Sequence, residues 1–301
     1  MQQLVNLQFT MFTMIAAGVI LKKVGIIGEE GKNNLTDLVI FLILPSNIIR
    51  SFMVEFSMKI LCTFAGVLSI SILIQVVCSL LGHILYNKME PSKKKCLRYG
   101  TICSNAGFLG NPVAEGVFGT MGLTLASIYL IPQRIVMWSA GISVFTESPS
   151  KKALVKKVLT HPCIIACMVG ILLLVSQLQL PGFLTETITA LSSCNTALSM
   201  MVIGLILADI NVKSMLDKRV LYYTLIRLVL IPVLVYIPCE LLRVDPLVTG
   251  VCVLLAAMPA GATTSILASK YNGDAEFATN MVIVSTLASL VTTPVWSAIL
   301  L

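Results

Sequence analysis

Charged residues are scarce in this chain: Asp, Glu, Lys and Arg supply only 12% of its 301 residues, against about 25% in soluble domains. With 57% apolar residues and a mean hydropathy of +0.94, that deficit excludes a soluble fold of this length, whose helices would need long polar faces. The signatures of an intramembrane enzyme are missing too. There is no GxSxG elbow, HExxH helix or Walker A loop, and His83 and His161 stand at segment ends without a nucleophile beside them. Without a nucleotide site, transport would have to run on ion or substrate gradients. The nine cysteines form no CxxC pair and have no adjacent histidine. They therefore read as packing inside apolar segments, and no metal or cofactor is expected. No basic residue precedes Lys22, so no cleavable signal peptide is expected and the first segment should stay in the membrane.

What is abundant is apolar runs of membrane-spanning length. Ten segments are expected, at about 4–21, 35–52, 60–86, 97–118, 123–145, 163–179, 188–208, 221–242, 247–269 and 277–301. The loops after the odd-numbered segments hold sixteen Lys and Arg residues, whereas the opposite side holds Arg50, Lys59 and Arg243. The excess places the basic loops in the cytoplasm and both termini outside a cell membrane. The net charge of +7 follows from this bias and calls for no nucleic-acid partner. Five segments per half make the second half enter the membrane from the opposite side, so any repeat is inverted. The expected division is 1–146, a cytoplasmic linker 147–162, and 163–301.

Two segments carry helix breakers in their middles. Asn105, Gly107, Gly110, Asn111 and Pro112 crowd into the fourth, and Pro259, Ala260, Gly261, Thr263 and Thr264 interrupt the ninth. Pro removes a backbone donor and Gly costs helix stability, so both helices should break. Broken backbone is tolerated in hydrocarbon only where it is buried in protein or lines a watery cavity. Paired breaks at matching places in two halves therefore mark a transporter binding site, formed by crossed broken helices four and nine. Helix N-termini near Asn111–Val113 and Ala260–Thr264 would offer free N–H groups to an anion, with the Asn105 amide and the Thr263 and Thr264 hydroxyls as further donors.

Three charged positions invite competing readings. Glu115, about one turn after Pro112, either carries a proton or simply reaches the outer water. Arg134, inside the fifth segment beside Gln133, either neutralises a carboxylate or snorkels to an interface. Arg227 poses the same question nearer the cytoplasmic end of the eighth segment. Asp37, Asp209 and Asp274 flank segment ends and are expected to be solvated or capping.

Ser104-Asn-Ala-Gly-Phe-Leu-Gly-Asn-Pro-Val113 followed by Phe118-Gly, Met258-Pro-Ala-Gly-Ala-Thr-Thr264, Ala268-Ser-Lys-Tyr-Asn-Gly-Asp274 and Ser285-Thr-Leu-Ala-Ser-Leu-Val-Thr-Thr-Pro294 together resemble the auxin efflux carrier family. That family includes plant auxin exporters and bacterial malate or malonate permeases, and this chain is similar to a compact bacterial member. The resemblance implies an all-α membrane fold of ten helices in two inverted five-helix repeats, like the bile-acid symporters and sodium/proton antiporters. It implies a scaffold of the first, second, sixth and seventh helices that often forms a homodimer, with a moving domain made of the others. The family's crossover asparagine corresponds to Asn105 and its crossover prolines to Pro112 and Pro259, while Asn111 stands where an aliphatic residue is usual. The adjacent membrane Asp pair of the antiporters is absent. The function these features imply is secondary transport of a small carboxylate, malate-like or auxin-like, by an elevator movement, with H+ or Na+ as candidate coupling ions. A membrane sensor that binds the ligand without moving it is the alternative.

Overall fold

The computed structural model describes residues 2–138, 140–145, 155–156, 159–208, 217–271 and 273–301. They are mostly helical, with no β-strand among them. Among the described residues, five stretches are long and apolar enough to cross a membrane: Ile60–Leu85, Ala106–Met137, Gly182–Leu207, Lys218–Leu241 and Ala275–Leu300. Pro162–Ser176 and Pro246–Ala256 are shorter apolar helices. Asp209 lies outside the described residues.

The chain begins with α1 (Gln2–Lys23), followed by α2 (Glu29–Leu38), which runs through a π-turn (Val39–Ile43) into α3 (Leu44–Ser51). α4 (Met58–Leu85), α5 (Pro91–Ile102), α6 (Asn111–Trp138) and α7 (Ala140–Phe145) complete the first part. The second part comprises α8 (Pro162–Ser176), α9 (Gly182–Ser193), α10 (Asn195–Leu207), α11 (Lys218–Leu225), α12 (Ile231–Leu241), α13 (Pro246–Ala256), α14 (Thr263–Lys270) and α15 (Ala275–Leu300). Local chemistry sets several of the starts. Asp245 accepts from the Leu247 and Val248 amides with Pro246 at the first position of α13, and Asp274 accepts from the Phe277 amide to start α15. Each cap satisfies donors that the first turn leaves free.

Gly119 divides α6, with φ 67° and ψ −163°, a conformation that favours glycine. A Cβ on Gly122 would strike the Ala114 carbonyl, although eight residues of uninterrupted helix would separate the two by about 12 Å. The chain therefore folds back at Gly119, where the fourth expected segment gives way to the fifth.

α1 packs lengthwise on α10, and α3 packs on α8 and α9. The first of these contacts is close because Gly18 lies on the Met201 backbone and Gly204 on the Ile15 carbonyl, so that neither has room for a Cβ. Small residues that allow such approach are the ordinary means of joining helices in lipid, where no hydrophobic force drives them together. The remaining helices form a second group in which α6 packs on α4 and α13, and α15 on α11, α13 and α14. The two interrupted segments lie in this second group.

Candidate functional site

α5 ends at Ile102, and Cys103 turns extended, at φ −110° and ψ 96°. The ninth segment opens after Ala256 and resumes at Thr263. The two gaps meet as a short antiparallel pairing of Ser104 with Ala260. The Asn105 amide donates to the Pro259 carbonyl at 2.7 Å, and the Gly261 amide donates to the Cys103 carbonyl at 3.2 Å. Each broken backbone thus supplies the partners the other has lost, which in lipid would otherwise cost several kcal/mol per group.

Neighbouring side chains complete the satisfaction of the crossing. Gln133 Nε2 donates to the Ser104 carbonyl at 2.7 Å, and Ser104 Oγ donates back to Gln133 Oε1 at 3.1 Å. The Ala260 amide donates to Ser285 Oγ at 3.1 Å. Arg227 Nε donates to the Met258 carbonyl at 2.8 Å, and its Nη1 donates to the Thr101 carbonyl at 3.3 Å.

The helix after the first gap resumes earlier than Asn111–Val113, because Ala106–Gly110 form a π-turn that leads straight into α6. The wider turn suits Pro112, whose ring would clash with the carbonyl four residues back in a tight helix and which has no N–H to donate. The free end of this half-helix is therefore at Asn105–Gly107. The other half-helix begins at Thr263, within the expected stretch.

A cavity of about 140 Å³ opens against these ends. By a similar measure one water needs ~10–15 Å³, so there is room for several waters or one small organic molecule. Asn105, Gly107, Gly261 and Thr263 line it, together with Ser104, Gln133 and Arg134. Apolar side chains including Ile40, Phe108, Leu130, Ile203 and Ile266 form most of the wall, and Thr36 and His161 also border it. The wall joins both helix groups, since Ile40, Cys163 and Ile203 come from the group built on α1 and α10.

Arg134 is the notable polar group here. It is only 5% exposed, it follows Gln133 in α6 just past Pro132, and its Nη1 nitrogen is buried with no hydrogen-bond partner. Cys163 and Cys167 lie near it, but no carboxylate pairs with it among the described residues. A buried guanidinium without an anion is expensive, and such charges in membrane proteins mark ligand paths. The Thr263 hydroxyl is buried beside the Tyr99 phenol without a well-formed hydrogen bond, and the Asn105 side chain makes no hydrogen bond among the described residues. Three donors thus border one small space.

The other expected residues lie outside the cavity wall. Asn111 is fully buried, and both of its amide atoms lack partners. Pro259 and Ala260 belong to the crossing itself, whereas Pro112 lies inside the resumed helix α6, and Thr264 is buried with its hydroxyl unpaired. Glu115 is half-buried on the far side of the crossing, facing Asn47 and Arg50 of α3. Gln133 and Ser285 were the unmarked members of the site: Ser285 opens one of the motifs quoted above, and Gln133 adjoins the flagged Arg134.

A family model described as "Membrane transport protein" matches residues 4–157 and 146–297. An "Uncharacterized transporter" of Methanothermobacter thermautotrophicus is 28% identical over 302 residues, covering 97% of this chain and 96% of the relative. "Uncharacterized transporter MJ1031" of Methanocaldococcus jannaschii is 25% identical over 299 residues, covering 96% of each. "Uncharacterized transporter YfdV" of Escherichia coli K12 is 25% identical over 202 residues, covering 63% of each.

Proposed function

This chain belongs to the membrane transport protein family, the auxin efflux carrier family its motifs resemble, and we propose that it moves a small organic anion across the membrane by alternating access. The observation that carries the reading is Arg134: a buried guanidinium with an unpaired nitrogen borders a small cavity beside the Asn105 amide and the Thr263 hydroxyl. A carboxylate would neutralise the charge and accept from all three donors. The free end of the half-helix at Asn105–Gly107 adds the positive end of its dipole. The substrate class is a carboxylate such as malate, or an auxin-like weak acid with an apolar body set against the apolar wall.

The proposed motion is of the elevator type, in which the group holding the crossing slides against the group built on α1, α3, α8 and α10. The cavity borders both groups, as a site carried past a fixed frame must. We read the chain as ten crossings in two inverted repeats, 1–146 and 163–301, joined by 147–162. With the basic loops inside a cell membrane and both termini outside, Thr36 and His161 lie at the cytoplasmic ends of their segments. The cavity would then open inward. A homodimer through the frame belongs to the same reading.

Counterflow in proteoliposomes tests it: labelled malate outside, with mono- and dicarboxylates loaded inside in turn. Trans-stimulated uptake by at least one carboxylate is expected. Saturable carboxylate binding without flux would replace the transporter with a sensor, and failure of the folded protein to bind any carboxylate would end the organic-anion assignment.

A further inference from the structure

Arg227 lies in the π-turn Ile226–Leu230 between α11 and α12, is 2% exposed, and does not border the cavity. Its two main-chain acceptors are unusual in where they sit. Thr101 lies in the last turn of α5, which ends at Ile102, and Met258 lies just past the end of α13 at Ala256. Each half-helix leaves its final carbonyls unsatisfied and directs the negative end of its dipole into the crossing. The guanidinium sits where the two ends converge. No carboxylate pairs with it among the described residues, and the groups around it are thiols and phenols: Cys78, Cys103, Tyr86, Tyr129 and Tyr223. Its hydrogen bonds therefore go to main-chain carbonyls at the helix ends, with the neutral Cys78 thiol beside it and no carboxylate among the described residues.

Converging carbonyls at the ends of broken helices are the arrangement that coordinates a mobile cation in a dry site. Here that place is filled by a cation fixed to the chain. We propose that Arg227 is a tethered cation standing in for a co-transported one at the crossing, so that the anion moves without Na+ bound there. The flux part of this rests on the transport reading above; the electrostatic part does not. A guanidinium fits because it offers several donors in a fixed plane and can serve two carbonyls at once.

The test compares native protein, Arg227→Lys, Arg227→Met and Arg227→Ala, by counterflow in proteoliposomes and by thermal unfolding in detergent. Native exchange should be the same within about twofold in Na+, K+ or choline at equal ionic strength, conditions that hold screening constant. Arg227→Met and Arg227→Ala should lose more than about tenfold, as expected when charge-assisted hydrogen bonds are removed. Arg227→Lys should keep more exchange than Arg227→Met. Millimolar guanidinium should restore Arg227→Ala, a rescue that a side chain acting only as packing would not show. Dependence of native exchange on Na+, or native-like exchange by Arg227→Met, overturns the proposal.

If no carboxylate exchanges at all, the transport reading fails and unfolding alone decides this one. A native melting temperature indifferent to Na+, with an Arg227→Ala melting temperature lowered and then raised by guanidinium, sustains the tethered cation. Stabilisation of the native protein by Na+, or an Arg227→Met protein that melts no lower than native, removes it. Should Arg227→Ala fail to fold, the native cation comparison and the ordering of Arg227→Lys above Arg227→Met decide in its place.

Discussion

Replacing Arg134 with Met should move binding and stability in opposite directions. Met keeps much of the length and none of the charge. A hydrogen bond to a charged group contributes about 1.5–3 kcal/mol, so losing the guanidinium–carboxylate contact should weaken binding about 10- to 150-fold. The empty protein, relieved of a buried guanidinium whose Nη1 has no partner, should gain about 1 kcal/mol or more. Ligand-dependent melting reads both effects. A carboxylate present at a hundred times its native Kd adds about 2.7 kcal/mol, and the same concentration adds only ~0.4 kcal/mol after a hundredfold loss of affinity. The variant should therefore melt higher than native when empty and respond far less to ligand. A variant that melts lower when empty yet keeps the full ligand shift would show that Arg134 is structural, and the argument from its unpaired nitrogen would fail.

Other outcomes follow from the packing and the caps. Ser285→Ala leaves the Ala260 amide without its acceptor, which should cost about 1–3 kcal/mol and lower the melting temperature without altering cation preference. Gly204→Ala places a methyl group on the Ile15 carbonyl and must part α1 from α10, at about 1–3 kcal/mol; an unchanged melting temperature would contradict the close contact described. Glu29, hydrogen-bonded by Lys22 and then Lys32, has its pKa lowered from 4.5 to about 2. A depressed carboxyl contributes stability that is present above 4.5 and fades as pH falls towards 2, so Glu29→Gln should flatten the acid side of the melting profile over that window. The effect should be small, because the carboxylate is well exposed.

The crossing was legible because its residues violate helix chemistry: Pro, Gly and Asn crowd at 105–112, and Pro and Gly recur at 259–261. Its exact opening was not, since the break falls at Cys103–Asn105 while the conspicuous Pro112 sits inside resumed helix. Nothing local in the sequence distinguishes a Pro that ends a helix from one accommodated by a π-turn. Gly119 was quoted only as part of a motif, though its positive φ marks the fold-back between expected segments four and five. Arg134 and Arg227 read alike as arginines in apolar stretches. Only the tertiary structure separates the one with an idle nitrogen at a cavity from the one held by two carbonyls. Asp274 does cap its helix, as its place at a segment end allowed.

The central claim is that a carboxylate is held at the crossing and carried across. Counterflow of labelled malate against the carboxylate panel, run side by side for native protein and Asn105→Ala, tests it most directly. The account predicts exchange in the native protein and its loss in a variant that still folds, because the Asn105 side-chain amide borders the cavity beside Arg134 with no hydrogen bond among the described residues, while the main-chain bond of Asn105 to Pro259 is kept in the variant. Undiminished exchange by Asn105→Ala would contradict the site, and absence of exchange by any carboxylate in folded native protein would contradict the function.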